Sequence, residues 1–225
     1  KIKYLDFFCN QTIINNLKKS NEIKKIASEE EENYIDVNEN GDYLVTFDPL
    51  DGSSNINVNI TIGTIFCIFK YKNNIIQNGR DIVMAGYFLY GTSTLLIVTE
   101  DSKLNKFILN LDNKFVLSQN NIKIPSQGPY FSINYANYHK LINKSTKLFI
   151  DNLISKNYSH RYVGSLVADA HRTIISGGVF LYPLDYKSKK GKIRLLYEAY
   201  PMAYILKIAG GFSSNEEKCI LDIDF

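Results

Sequence analysis

The chain has no tryptophan, two methionines and three cysteines among its 225 residues. Cys9, Cys67 and Cys219 are odd in number, widely separated and form no C-x-x-C pair. That argues against a disulfide framework or a structural zinc site and predicts reduced, buried thiols. No apolar run is long enough to cross a bilayer, and the first residues lack the basic-then-apolar order of a signal peptide. The sequence therefore reads as a cytoplasmic protein with no membrane partner. Its formal charge is only +3 and its basic residues are dispersed, so nothing in it suggests a nucleic-acid surface. The three histidines, His139, His160 and His171, lack metal-ligand spacing. There is no Ser-His-Asp pattern, no Gly-x-x-x-x-Gly-Lys phosphate loop and no internal repeat. The first residue is Lys1 and not Met, so Lys1 is not taken as a natural N-terminus.

What is present is the composition of a globular protein, 45% apolar and 22% charged, long enough for one large domain or two packed halves. Abundant Lys, Asn, Ile and Tyr read as compositional drift. Ile13, Ile14 and Leu17 have helical spacing and predict an amphipathic helix over Asp6–Ser20. A short strand through Ile26 leads into Ser28-Glu29-Glu30-Glu31-Glu32, and Asp42–Phe47 reads as a strand delivering Asp48 at its carboxyl end. Ile56–Tyr71 is rich in β-branched and aromatic residues, with Gly63 as a bulge or close-approach point. Further strands are expected at Ile82–Tyr90, Thr94–Thr99, Phe107–Leu111 and Tyr130–Ile133. In the second half, Leu141–Leu153 and Leu166–Ser176 predict helices, the latter stopped by Gly177-Gly178 before a strand Val179–Tyr182. Pro201 sits in the first turn of a last helix whose apolar face is Met202, Ile205, Leu206 and Ile208. A seam near Pro125–Pro129 divides residues 1–126 from residues 127–225.

The chemistry concentrates in Asp48-Pro49-Leu50-Asp51-Gly52-Ser53-Ser54-Asn55. Pro49 keeps Asp48 out of the helical region, and Asp51 follows three residues on, so both carboxylates can face one point. Gly52 lets the backbone come close, and a helical turn starting there would leave the Ser53, Ser54 and Asn55 amides unpaired. Hard oxygen ligands beside free amides suit a magnesium ion holding a phosphate. A bare Asp-x-x-Asp-Gly is ordinarily a turn with Asp48 as a cap; the full string is more specific and favours function. The acidic run at Ser28–Glu32 alone reads as a solvated face or a helix start. Its interest is that the preceding strand would bring Glu29 and Glu30 to a sheet end, as with Asp48, and a multi-metal site needs acids from separate segments. In Gly191–Glu198, Lys192 and Arg194 alternate on a strand-like stretch and can reach a phosphate from one face. Glu198 opens the last helix, where the dipole favours a carboxylate with or without a metal. Lys187, Lys189 and Lys190 read as an exposed loop. Tyr162, Tyr182 and Asn134 are polar groups in apolar settings, and each tyrosine alone reads as a core residue.

The segments Ile26–Glu32, Phe47–Phe66, Ala85–Thr94, Arg161–Arg172, Gly177–Pro183 and Gly191–Gly211 resemble class I fructose-1,6-bisphosphatase, particularly its bacterial form, with similarity from Asp6 to Ile223. The resemblance implies an α/β fold layered α/β/α/β/α with mixed sheets. It implies hydrolysis of the 1-phosphate of fructose 1,6-bisphosphate to fructose 6-phosphate in gluconeogenesis, and a homotetramer. Glu29, Asp48, Asp51 and Glu198 become ligands of two or three Mg2+ ions, with the Leu50 carbonyl as a further ligand and Mn2+ or Zn2+ as substitutes. Asp6 and Glu30 become acids that position or deprotonate the attacking water, and Arg194 lies near the reacting phosphate. Asp51, Gly52, Ser53, Ser54, Asn134, Tyr162, Tyr182 and Lys192 match substrate-binding positions. Arg161 matches an arginine that reaches the neighbouring subunit's substrate. Most metal acids then fall in residues 1–126 and most sugar-phosphate contacts in residues 127–225.

The family has an N-terminal helical region and a mobile catalytic loop before the position of Asp6, and a strand-helix segment after that of Phe225; this sequence contains neither. Asp42 and Lys70 replace a lysine and an arginine that contact AMP in animal enzymes, so AMP control is not implied. Tyr135-Ala136 replaces the usual Glu-Gly. Two alternatives stand beside the main reading: a sedoheptulose or broader sugar bisphosphatase, and a non-catalytic sugar-phosphate binder.

Overall fold

The computed structural model describes residues 2–71, 77–188 and 191–224; Lys189 and Lys190 of the expected basic loop lie outside them. An eight-stranded sheet dominates the described residues, in the order β2-β1-β3-β4-β5-β6-β7-β8. Its strands are β1 (Ile23–Ser28), β2 (Ile35–Asp36), β3 (Tyr43–Asp51), β4 (Ile62–Lys70), β5 (Ile82–Tyr90), β6 (Thr94–Glu100), β7 (Lys103–Leu109) and β8 (Phe115–Gln119). β1 and β3 run parallel and the other neighbours antiparallel, which makes the sheet mixed. A second sheet of β9 (Tyr130–Ser132), β10 (Ser159–His160) and β11 (Val179–Phe180) is parallel, with β9 in the centre.

The layers follow from strand alternation, since successive side chains point to opposite faces. Phe66 and Ile68 face the first helix, α1 (Ile2–Leu17), in a cluster with Ile14, Ile23, Ile26, Val45 and Phe47. Ile65, Cys67 and Phe69 face the other way, against α3 (Leu166–Ser176) and α4 (Tyr200–Ile208). Beyond α3 the small sheet packs Phe131 and Ile133 on Ile150 and Leu153 of α2 (Lys144–Ser155). The order across the molecule is therefore helix, sheet, helix pair, sheet, helix.

Several elements differ from the sequence expectation. The β-rich stretch at Ile56–Tyr71 starts with a 3-10 helix, Ser53–Val58, and only then enters β4. Leu141 and Ile142 precede α2, which begins at Lys144 after a 3-10 turn at Tyr135–Lys140. Lys192–Arg194 is irregular backbone and no strand, and Leu195–Ala199 forms a wide π turn before α4. Ser28 ends β1 and is followed by a turn, so it caps no helix. All three cysteines are free, but only Cys67 is fully buried; Cys9 and Cys219 are partly exposed because each sits outside the sheet core.

Candidate active site

Parallel pairing of β1 with β3 sets the site. Ser28 lies opposite Phe47, and the Glu29 N–H donates to the Phe47 carbonyl (3.1 Å), so Glu29 and Asp48 leave the same sheet edge side by side. The pairing of β3 with β4 is interrupted between Asp48 and Asp51, opposite Gly63. Asp48 turns back to accept from the Leu50 N–H (2.8 Å), while Thr64 Oγ1 donates to the Pro49 carbonyl (2.8 Å). A side chain at Gly63 would put its Cβ 2.2 Å from the Phe88 carbonyl, which explains glycine where the strands close up. Gly52 has φ 78, and a Cβ there would meet the Ser165 Cβ at 2.8 Å. The Asn55 N–H donates to the Gly52 carbonyl (2.8 Å), so of the three amides expected to be free this one is engaged.

Glu198 arrives from the far half of the chain. The π turn is anchored where Thr46 Oγ1 donates to the Leu196 carbonyl (3.2 Å). Both the Glu198 and Ala199 N–H groups donate to the Arg194 carbonyl (3.0 Å each), and Glu198 Oε2 accepts from the Arg194 N–H (2.5 Å). Glu198 thus sits in the π turn and not at the opening of α4. Asp48, Asp51 and Glu198 are all buried, and each offers a carboxylate oxygen within 4.8 Å of the others. Asp51 Oδ2 is gripped by Ser165 Oγ (3.0 Å) and the Val167 N–H (2.8 Å) at the start of α3.

Three clustered acids resist ionising together. Burial, then the charge of Glu29 and of Asp51, push Asp48 up to about 9. Burial, helped by Asp51 and Glu29 and opposed by Arg194, raises Glu198 to about 7. Burial raises Asp51 as well, against the donors of Val167, Ser165 and Leu166 that favour its charged form. The Arg194 guanidinium pairs with Glu29 and approaches Glu198 (3.5 Å).

Asp6 and Glu30 lie beside this cluster. Asp6 is raised by burial and by Glu29; Glu30 is raised by burial, Glu29 and Asp6. Buried Asn10, one turn along α1 from Asp6, accepts from Ser28 Oγ (2.7 Å) and donates to Glu31 (2.8 Å), tying α1 to the acidic turn.

On the other side a cavity of about 200 Å3 is bounded by Asp51, Tyr162, Tyr182, Lys192, Arg194 and Glu198 among others. Asn134 and Arg161 do not line it; Asn134 precedes the 3-10 turn and the exposed Arg161 lies over the Tyr130 ring (5.7 Å). Asp42 and Lys70 form an exposed ion pair (2.7 Å). A larger groove of about 620 Å3 between α1 and the sheet is lined mainly by apolar side chains and holds none of these acids, so it is not the reactive cleft. Sequence reading missed Thr64, Ser165 and Val167, which hold the acid loop. None carries a motif of its own.

The family model described as the N-terminal domain of fructose-1-6-bisphosphatase matches residues 1–120, and that of the C-terminal domain matches residues 124–225. A fructose-1,6-bisphosphatase class 1 of Persephonella marina is 44% identical over 99% of this chain and 72% of its own length. One from Neisseria meningitidis serogroup B is 43% identical over 98% of the chain and 72% of its own. The crystal structure of Leishmania major fructose-1,6-bisphosphatase in holo form superposes with a TM-score of 0.93 at 38% identity, covering 98% of this chain and 73% of that one. Its apo form gives 0.94 at 37% identity, covering 100% and 78%. Agreement in both halves, across sequence and fold, makes this chain a member of the fructose-1,6-bisphosphatase family.

Proposed function

We propose that the protein hydrolyses the 1-phosphate of fructose 1,6-bisphosphate, releasing fructose 6-phosphate and orthophosphate, with magnesium at the acidic cluster. The observation that carries this is the meeting of Asp48, Asp51 and Glu198 beside a cleft that also holds Lys192, Tyr162 and Tyr182, in a chain of this family. Three carboxylates whose charged forms are disfavoured by burial and by neighbouring acids fit a hard dication, which takes oxygen ligands and relieves the repulsion. Glu29 and the Leu50 carbonyl complete the proposed ligand set. Two or three Mg2+ ions bound there would supply positive charge to the phosphoryl oxygens and acidify the attacking water.

Glu30 with Asp6 takes the proton of that water; a carboxylate raised toward neutrality is the better base near pH 7. Arg194 stabilises negative charge on the transferring phosphoryl group. Lys192, Tyr162 and Tyr182 hold the sugar and the distal phosphate, so that binding energy far from the reacting bond fixes its orientation. The Asp51–Ser54 turn contributes its amides at the scissile end. Residues 1–126 would then supply most metal acids and residues 127–225 most sugar-phosphate contacts. A cytoplasmic homotetramer, with Arg161 serving the neighbouring subunit's substrate, completes the reading; the exposure of Arg161 away from its own cleft supports it.

Asp48→Ala removes the acid that joins Glu29 to the cluster. It is expected to abolish magnesium-dependent orthophosphate release from fructose 1,6-bisphosphate, and near-normal turnover would overturn the assignment.

A further inference from the structure

Asp169 is fully buried in α3 and has no part in the reaction as described. Its carboxylate is engaged on every side. Oδ1 accepts from Ser132 Oγ (2.7 Å) and pairs with the Arg172 guanidinium. The Val163 N–H reaches both oxygens (3.0 and 3.1 Å), and the Gly164 N–H donates to Oδ2 (2.9 Å). Those two amides belong to the loop that presents Tyr162, Gly164 and Ser165 to the cleft. Outside a sheet or helix the loop has no ladder to fix its N–H groups, and a buried acceptor takes that role. Arg172 reinforces the arrangement from the surface by donating to the Arg161 carbonyl (3.0 Å) and to Ser132 Oγ (3.1 Å).

α3 therefore grips both ends of the site. Ser165 and Val167 at its start hold Asp51 on the acid side, and Asp169, in the same first turn, holds the loop on the cleft side. Packing of α3 alone does not explain a charge at this position. A buried ion pair is a poor stabilising device, and an apolar residue of similar size would serve the helix at least as well. What an apolar residue cannot do is bind two loop amides.

We infer that Asp169 is a positioning residue for the sugar-phosphate end of the cleft: paired with Arg172, it holds the Tyr162–Gly164 segment in the shape that presents Tyr162 to substrate, while Ser165 keeps its own bond to Asp51. The inference rests on the proposed bisphosphatase activity. Asp169→Asn preserves shape but turns one acceptor into a donor facing Arg172 or a loop amide. Arg172→Gln weakens the same device from a partly exposed position. Ser132→Ala deletes a partner that does not belong to the loop.

Steady-state kinetics with fructose 1,6-bisphosphate, the Mg2+ half-saturation and the thermal midpoint are measured for all three and for the wild type. KM is expected to rise at least about tenfold in Asp169→Asn, the low end for one lost hydrogen bond to a charged group, and about threefold in Arg172→Gln, which leaves the loop amides their acceptor. kcat and Mg2+ half-saturation stay within about threefold, and Ser132→Ala keeps its KM within about twofold. Should Asp169→Asn fail to fold, Arg172→Gln decides alone by the same split. Unchanged KM overturns the inference, as does a fall in kcat and Mg2+ affinity that tracks the loss of thermal stability. A wild type that binds the bisphosphate but does not turn it over would instead overturn the reading of the reaction, and this inference with it.

Discussion

At the residue scale the site is a set of acids held close against their own repulsion. Glu198 and Asp48 are raised to about 7 and about 9, above the carboxylate value of the unfolded chain. Between about pH 4 and those values the folded protein binds more protons than the unfolded one. Their contribution to stability is therefore full at acid pH and is lost as pH rises, through about 7 for Glu198 and about 9 for Asp48. In EDTA the melting temperature is expected to fall from about pH 5.5 to about pH 8.5, and Mg2+ to raise it more at the upper pH than at the lower. Thermal melts at both pH values, with and without the ion, check the sign.

The donors that hold Asp51 belong to the same scale. Ser165→Ala removes one of two hydrogen bonds to a buried carboxylate, a loss of about 1.5–3 kcal/mol for a charged acceptor. It is expected to raise the Mg2+ half-saturation by roughly tenfold or more, readable by titrating activity or by calorimetry. Asp48, Asp51 and the glycine after them were legible in the sequence because they are contiguous, and their residue types state their chemistry. Ser165 and Val167 were not. They meet Asp51 across 114 and 116 residues, and nothing in a short polar side chain announces a partner so far away.

At the element scale, two devices set the acids. Parallel register brings the ends of β1 and β3 to one edge, and the interruption in β3 folds Asp51 back toward Asp48. Gly52 permits the second device through its positive φ and its contact with Ser165. Gly52→Ala is expected to destabilise the fold by about 1–2 kcal/mol from the left-handed backbone alone, with more from the contact. Denaturant melts measure it, and an unchanged midpoint would contradict the assigned geometry. β3 and β5 were readable as near-continuous apolar runs, bounded near Pro49 and at Gly91, and α3 by its helical apolar spacing ended at Gly177. The π turn at Leu195–Ala199 was not readable, since it depends on Glu198 folding onto the Arg194 N–H and on Thr46 holding Leu196 from another strand. The 3-10 helix at Ser53–Val58 was hidden for a related reason: Ile56 and Val58 have the side chains of a strand, but the turn begun at Gly52 continues through them. β8, exposed along its whole length, offers no alternation to read.

At the scale of the whole molecule, the large sheet supplies the acids of the N-terminal half, while α3 and the turn before α4 bring Ser165, Val167, Glu198 and the cleft residues to meet them. Neither half holds the set by itself. The resemblance carried the architecture at this level, since strand order and the joining of both halves in one core through Phe69 and Tyr200 are properties of contacts and not of local pattern. The central claim is that this assembly directs water to one phosphate of a sugar bisphosphate. The most direct test is a 31P NMR time course of fructose 1,6-bisphosphate with the protein and Mg2+. The account predicts loss of the 1-phosphate signal with equimolar growth of orthophosphate and fructose 6-phosphate, stopping when EDTA is added. Retention of both phosphates, or accumulation of fructose 1-phosphate, would contradict it.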